Sequence, residues 1–198
     1  MLRETVIKLE RLSRKYHGYI STEDLLREGI TNRQIGVFVE IEMLERVCHG
    51  HYWFPCFPFP KPRDYKAIEV CFSAPEAVIC ADSACFYLGL IDREPEKLSV
   101  ATRRSDRRRV GMNFPISRHY YAERTFGEYQ NTVETEFGRY SIYDRERSVC
   151  DCIRFRKEIE EDIFAYVLEN YKKQEQTGEK LLQYAKTLRL FHLVKKYV

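Results

Sequence analysis

No stretch of this chain approaches the uninterrupted apolar length of a membrane span. The N-terminal segment MLRETVIKLERLSRKY is charged and amphipathic, without the apolar core of a secretory signal. Charge of one sign is lacking as well: 33 Lys plus Arg stand against 30 Asp plus Glu, a net +3 over 198 residues. A cationic field over the whole surface is thereby excluded, so any nucleic-acid contact must come from cations gathered locally. Glycine-rich phosphate loops are missing, as is a serine or cysteine nucleophile in an elbow. The D/E-x-K pair of a metal-dependent nuclease has no good copy, since Glu69-Val70-Cys71 lacks the lysine and Glu123-Arg124 lacks a partner carboxylate. Cys150-Asp151-Cys152 is not a C-x-x-C redox pair. The expectation is a chain that is not an enzyme and needs no cofactor. The seven cysteines, odd in number, are expected as mostly buried thiols of a reducing compartment, so a cytoplasmic location with no membrane partner is expected too.

What is present is organised around Thr31 to Phe54. Thr31 and Gln34 make an S/T-x-x-E/Q capping box, so a helix should start near Asn32, with Ile35, Phe38, Val39 and Met43 at helical spacing. Leu44 to Cys48 then turns through His49-Gly50 into His51 to Phe54, the pattern of a β-hairpin. Ahead of it, Leu2, Val6, Leu9, Leu12 and Tyr16 form one apolar stripe, ended by His17-Gly18. Tyr19-Ile20 suits a short strand, and Ser21 to Asp24 starts a second helix that Gly29 stops. Helix, turn, helix and hairpin in this order predict a winged helix-turn-helix, whose second helix of the pair enters the major groove.

The first turn of that helix carries the residue types that pair with phosphates and base edges: Thr31, Asn32, Arg33 and Gln34. Glu40, Glu42 and Glu45 follow and would repel phosphates, so readout is confined to the helix N-terminus. The hairpin offers Arg46, His49 and His51 for backbone or minor-groove contact. Cys48, His49, His51 and Cys56 crowd the same stretch, yet their spacing fits no standard zinc finger, and no metal is expected.

Four prolines between Pro55 and Pro62 mark a linker, with Phe57 and Phe59 expected to hold it extended along a surface. The expected domains are therefore 1–62 and 63–198. The second reads as a mixed α+β layer: a short helix about Tyr65, Ile68 and Phe72, an apolar run at Ala77 to Cys80, and a segment capped by Asp82-Ser83. Strands follow at Leu98 to Thr102 and Ile116 to Tyr121, and a hairpin of Val133 to Phe137 and Tyr140 to Tyr143 about Gly138-Arg139. Three helical segments close the chain, the third holding Leu181, Leu182, Leu188 and Phe191.

Two charged features stand out in this second part. Arg103, Arg104, Arg107, Arg108 and Arg109 put five arginines into seven positions between two strands, a basic contact loop or a solvated one. Arg147 and Asp151 are four apart on a helix and are expected to pair structurally.

The Leu44-x-Arg46…Gly50-x-Tyr52 hairpin, the segment from Ser83 to Leu90 and the run from Ser141 to Asp151 together resemble the AbiEi family of antitoxins, in the family's order and over nearly the whole chain. That resemblance implies a winged helix-turn-helix binding inverted repeats in the promoter of its own operon, and a C-terminal domain carrying antitoxicity. It implies a type IV toxin–antitoxin system, active in phage defence by abortive infection. Its functional antagonist is a nucleotidyltransferase-like toxin, opposed without a stable complex. Two other readings stay open from the residues: an interaction module whose last helix, with Leu188, Phe191, Leu193 and Val194, packs on a partner, and a DNA-acting nuclease.

Overall fold

The computed structural model describes residues 2–56, 58, 60–174 and 178–198, with backbone alone for residues 2 and 3. Phe57 and Phe59, and the side chain of Leu2, lie outside the described residues. The architecture is mixed α+β, with ten helices and two sheets among the described residues. No described helix is long and apolar enough to cross a membrane. The chain divides into two units, the first made of Met1–Pro75, Val110–Asn113 and Glu134–Arg139, and the second of the remainder.

In the first unit, α1 (Leu2–Lys15) buries Leu9 and Leu12. It ends where His17 and Gly18 take positive φ and the Gly18 N–H donates back to the Ser13 carbonyl. β1 (Tyr19–Ser21) leads into α2 (Thr22–Arg27), whose N-cap Ser21 accepts from the Asp24 N–H. After Gly29 comes α3 (Asn32–Glu40), then β2 (Glu45–Cys48) and β3 (His51–Trp53) about the turn His49-Gly50. The three strands form an antiparallel sheet in the order β1-β3-β2, with Tyr19 opposite Trp53 and Ile20 opposite Tyr52. Leu9, Leu12, Ile20, Leu25, Ile30, Ile35, Phe38, Leu44, Tyr52 and Phe54 make its core, so the apolar positions at helical spacing meet the inward positions of the strands. Gly18 is required there for a second reason: a Cβ at this position would lie 2.2 Å from the Trp53 ring.

The first unit runs past the boundary expected at residue 62, because α4 (Tyr65–Ser73) belongs to it. Phe72 stacks flat on His51 at 4.7 Å and meets the Tyr19 ring edge-on at 5.2 Å. Glu69, nearly without solvent exposure, accepts from the Tyr19 hydroxyl at 3.0 Å and pairs with Lys61 at 2.7 Å, while Lys61 also reaches Glu45 at 2.7 Å. Burial pushes the Glu69 carboxyl up despite those bonds; Lys61, which burial would push down, is held up by its two carboxylates.

The second unit contains β4 (Val78–Ile79), α5 (Ala81–Tyr87), β5 (Leu98–Arg103), β6 (Ile116–Tyr121) and α6 (Glu123–Phe126). These are followed by β7 (Gln130–Thr135) and β8 (Gly138–Tyr143), whose residues 134–135 and 138–139 belong to the first unit, and by α7 (Arg145–Arg154), α8 (Glu161–Gln174), α9 (Glu179–Thr187) and α10 (Phe191–Val194). The sheet order is β6-β5-β4-β8-β7, with β4 antiparallel to β5, parallel to β8, and β5 parallel to β6. α7 is almost wholly buried and packs against α5 and α9, and Cys85, Phe86, Val149, Cys152, Ile153, Val167 and Leu181 share its core. All seven cysteines are free thiols, five of them buried.

Three local expectations are corrected. Cys80 is the N-cap of α5, so Asp82 and Ser83 lie inside its first turn, where Asp82 Oδ1 accepts from the Ser83 N–H. The β7–β8 turn falls at Glu136-Phe137; Gly138 is already in β8, where it takes φ +146 and a Cβ would also approach Ile68 to 3.0 Å, so this glycine answers to backbone conformation and to packing. The last helical segment is two helices, broken where Arg189 takes φ +59.

Candidate nucleic-acid interface

The first turn of α3 is built by its cap. The Thr31 N–H donates to Gln34 Oε1 at 2.8 Å, the Gln34 N–H donates to Thr31 Oγ1 at 3.3 Å, and the Thr31 hydroxyl also meets Gln34 Oε1. The oxygens of both side chains are thus committed to the helix start, leaving the Gln34 amide N–H₂ as its free donor. Asn32 and Arg33, exposed beside them, carry no side-chain hydrogen bond or ion pair among the described residues. They project from the end of a helix whose free backbone N–H groups give it partial positive charge. Farther along the helix the exposed residues change character to Val37, Glu40 and Ile41.

The hairpin separates the three residues assigned to it. Arg46 is exposed with its guanidinium 5.8 Å from the Tyr52 ring, and its carbonyl accepts from Asn113 Nδ2. His49 is exposed at the turn. His51 goes elsewhere: its ring stacks on Phe72 and its Nδ1 lies 3.8 Å from Cys48 Sγ. Burial pushes the Cys48 thiol up to about 11, with Glu69 adding to the shift. No group of His, Cys, Asp and Glu among the described residues could hold a metal ion.

His51 instead lines an open groove of about 460 Å³ in the first unit, together with His17, Tyr19, Phe72, Glu136 and Phe137. His17 Nδ1 stands 3.5 Å from Glu136 Oε2, and its ring meets Phe137 edge-on at 5.9 Å. Nothing in the sequence pairs His17 with residues nearly 120 positions away, and this groove escaped reading from spacing alone.

In the second unit the arginine loop divides into held and free cations. Arg103 lies over the Phe126 ring at 4.5 Å and pairs with Glu123 at 3.1 Å and Glu76 at 3.5 Å. Arg108 forks onto Asp106 at 3.0 and 3.1 Å, and those hydrogen bonds bring the Asp106 carboxyl down to about 2. Arg104, Arg107 and Arg109 are exposed, with no carboxylate partner among the described residues. Sequence reading missed Arg118 on β6, which donates to the carbonyls of Asp106 and Arg108 and to Thr102 Oγ1 and so fixes the loop's course.

The expected pair of Arg147 and Asp151 exists at 2.9 Å and is buried without exposure. Arg147 lies between the rings of Tyr143 at 4.3 Å and Tyr121 at 5.1 Å, and Nη1 donates to the Thr125 carbonyl. Burial pushes the Asp151 carboxyl up, and Arg147 pulls it back. With both charges enclosed by rings and carbonyls, the pair anchors structure.

A smaller cavity of about 230 Å³ brings together Ser117, His119, Glu158 and Asp82. His119 Nε2 is 3.3 Å from Ser117 Oγ, and Nδ1 is 3.6 Å from Glu158 Oε2. The order hydroxyl, imidazole, carboxylate suggests acyl chemistry, but burial, aided by Arg154, holds His119 down at about 4. Glu158 is 58% exposed, so water screens its pull. An imidazole of that basicity is a poor acceptor for a serine proton near neutral pH.

No family model matches the chain, and no curated protein matches it.

Proposed function

We propose that the first unit is a winged helix-turn-helix and that the chain is an AbiEi-like antitoxin which represses its own operon. The observation that carries the DNA-binding part is the exposed pair Asn32 and Arg33, without side-chain partners among the described residues, at the capped start of α3, following α2 across a short turn and preceding the β2–β3 hairpin. Arg33 can fork onto a guanine edge or a phosphate, and Asn32 onto an adenine edge. Thr31 and Gln34 set the helix start, and Gln34 adds one amide donor. Arg46 and His49 supply backbone contacts from the hairpin, while His51 supports it from within. Inverted repeats in the operator would seat two copies, since a palindrome mirrors two-fold symmetry. Residues 1–62 then contain the groove reader, and α4 belongs with it in support.

Antitoxicity rests on the resemblance of Ser83 to Leu90 and Ser141 to Asp151 to that family, and the second unit is assigned to it. The test is co-expression with a nucleotidyltransferase-like toxin encoded beside the gene: rescue of growth by the chain supports the reading, and growth arrest that the chain leaves unchanged contradicts it. Footprinting on upstream DNA tests repression in the same strain.

A second reading draws on α3 itself. Val37 is 44% and Ile41 54% exposed on its outer side, which favours a protein contact for the later turns of this helix. Under that reading Val37→Ser and Ile41→Ser change self-association or partner binding and leave DNA affinity unchanged.

A further inference from the structure

Strand β6 ends the sheet order and shows its two faces unequally. His119 and Tyr121 are buried, whereas Tyr120 is 44% exposed and Arg118 is partly so. Arg118 and Tyr120 are two apart on a strand and share one face, and the guanidinium lies 4.9 Å from the ring. The same guanidinium holds the loop after β5 by its hydrogen bonds to the carbonyls of Asp106 and Arg108, at 2.9 and 2.5 Å. The loop's one acid is already committed to Arg108 and Arg118. What remains for a partner is therefore Arg104, Arg107 and Arg109, exposed and with no carboxylate partner among the described residues, on a loop held by Arg118, whose guanidinium also lies against the exposed Tyr120 ring.

We propose that this face of the second unit binds single-stranded nucleic acid, the loop arginines taking phosphates and Tyr120 stacking an unpaired base. The chemistry selects that ligand in two steps. Arginines accept any phosphate, so they attract duplex and single strand alike. An exposed ring next to them gains only from a base whose face is open, and duplex bases are already stacked on one another. The Arg118 guanidinium, 4.9 Å from the centre of that ring, adds a cation–π contact on the Tyr120 side of the site. This inference stands on the second unit alone and does not rest on operator binding by α3.

The test uses the full chain carrying Arg33→Ala, so that α3 does not supply the signal, with a fluorescent twelve-nucleotide oligopyrimidine as single strand and a blunt duplex of the same sequence. Three exposed cations predict a slope of log affinity against log salt near −2 on the single strand, from about −0.7 per phosphate. Tyr120→Ala is expected to weaken single-strand binding about tenfold and leave duplex binding unchanged, and Tyr120→Phe to keep wild-type affinity. Arg104→Gln, Arg107→Gln and Arg109→Gln combined should remove most of the salt slope. The proposal is overturned if Tyr120→Ala binds the single strand as the parent does, if the duplex binds as tightly and with equal sensitivity to Tyr120, or if polyglutamate displaces the oligonucleotide at equal charge. Running the strand as RNA and as DNA separates a 2′-hydroxyl preference from phosphate and stacking alone; either preference is compatible with the proposal, and binding to neither form overturns it.

Discussion

Arg147 and Asp151, one turn apart in α7, meet at 2.9 Å with neither side chain exposed. The pair ties α7 to the segment before β7, because the same guanidinium reaches the Thr125 carbonyl. Removing one partner strands the other: Arg147 cannot shed its proton, so Asp151→Leu leaves a buried cation. We expect Asp151→Leu to cost about 3–5 kcal/mol in urea unfolding. The double variant Arg147→Met/Asp151→Leu is expected to cost less than the two single changes together. Additive costs would contradict a coupled pair.

Gly18 and Gly50 of the first unit both have positive φ, with different neighbours. Gly18 at φ +90 would place a Cβ 2.2 Å from the Trp53 ring, whereas Gly50 at φ +79 has only Thr22 Oγ1 at 3.8 Å. Gly50→Ala should then show backbone strain alone, about 1 kcal/mol. Gly18→Ala adds a collision with a buried ring where β1 pairs with β3, so it should exceed that cost by a further 1–3 kcal/mol or so. Thermal unfolding of the two variants side by side reads the difference; equal losses would remove the role given to Trp53.

Thr31 is a cap before it is anything else. Thr31→Ala removes the acceptor of the Gln34 N–H and should destabilise the first unit by about 1 kcal/mol. Asn32→Ala, at an exposed position with no side-chain partner among the described residues, should be close to neutral in stability. If urea unfolding ranks the two the other way, the cap is not the main task of Thr31.

His119 makes stability depend on pH in a definite direction. Its imidazole is held at about 4 in the fold, below the ordinary 6.5, because burial disfavours the cation. A depressed folded value means stability that is present above 6.5 and is lost as pH falls from 6.5 toward 4, amounting to about 3 kcal/mol. Asp82, raised by burial in the same cavity, slopes the opposite way between its raised folded value and its ordinary one, since a neutral carboxyl suits the fold. The clean measurement is therefore the difference between the parent and His119→Gln: urea unfolding from pH 7 to 4.5 should show a shallower acid loss for the variant. Parallel curves would mean that His119 is not the titrating group.

The parts legible in the sequence were those written in short-range rules. The Thr31/Gln34 box, the Gly29 stop and the alternation around His49-Gly50 each act within one or two turns, and the elements they predict are present in order. Long-range packing was not legible in the same way. Tyr65, Ile68 and Phe72 announced α4, but only the fold shows that Glu69 and Phe72 join it to Tyr19 and His51. Gly138 carried a turn signal, but it lies inside β8 at φ +146, and its closeness to Ile68 adds a constraint from a neighbour 70 positions away. In the loop, five arginines looked equivalent; Glu76, Glu123, Asp106 and Arg118 sort them into held and free, and three of those four lie outside the run.

The most direct test of the central claim is a mobility shift of the full chain on the DNA upstream of its own gene, against a scrambled duplex, at low and moderate salt. The account predicts a specific complex that Arg33→Ala weakens by roughly tenfold or more, in line with loss of one good base contact. It also predicts that Thr31→Ala costs much less at temperatures where the unit is folded. Equal binding of upstream and scrambled DNA, unchanged by Arg33→Ala, would contradict it and move α3 to protein contacts.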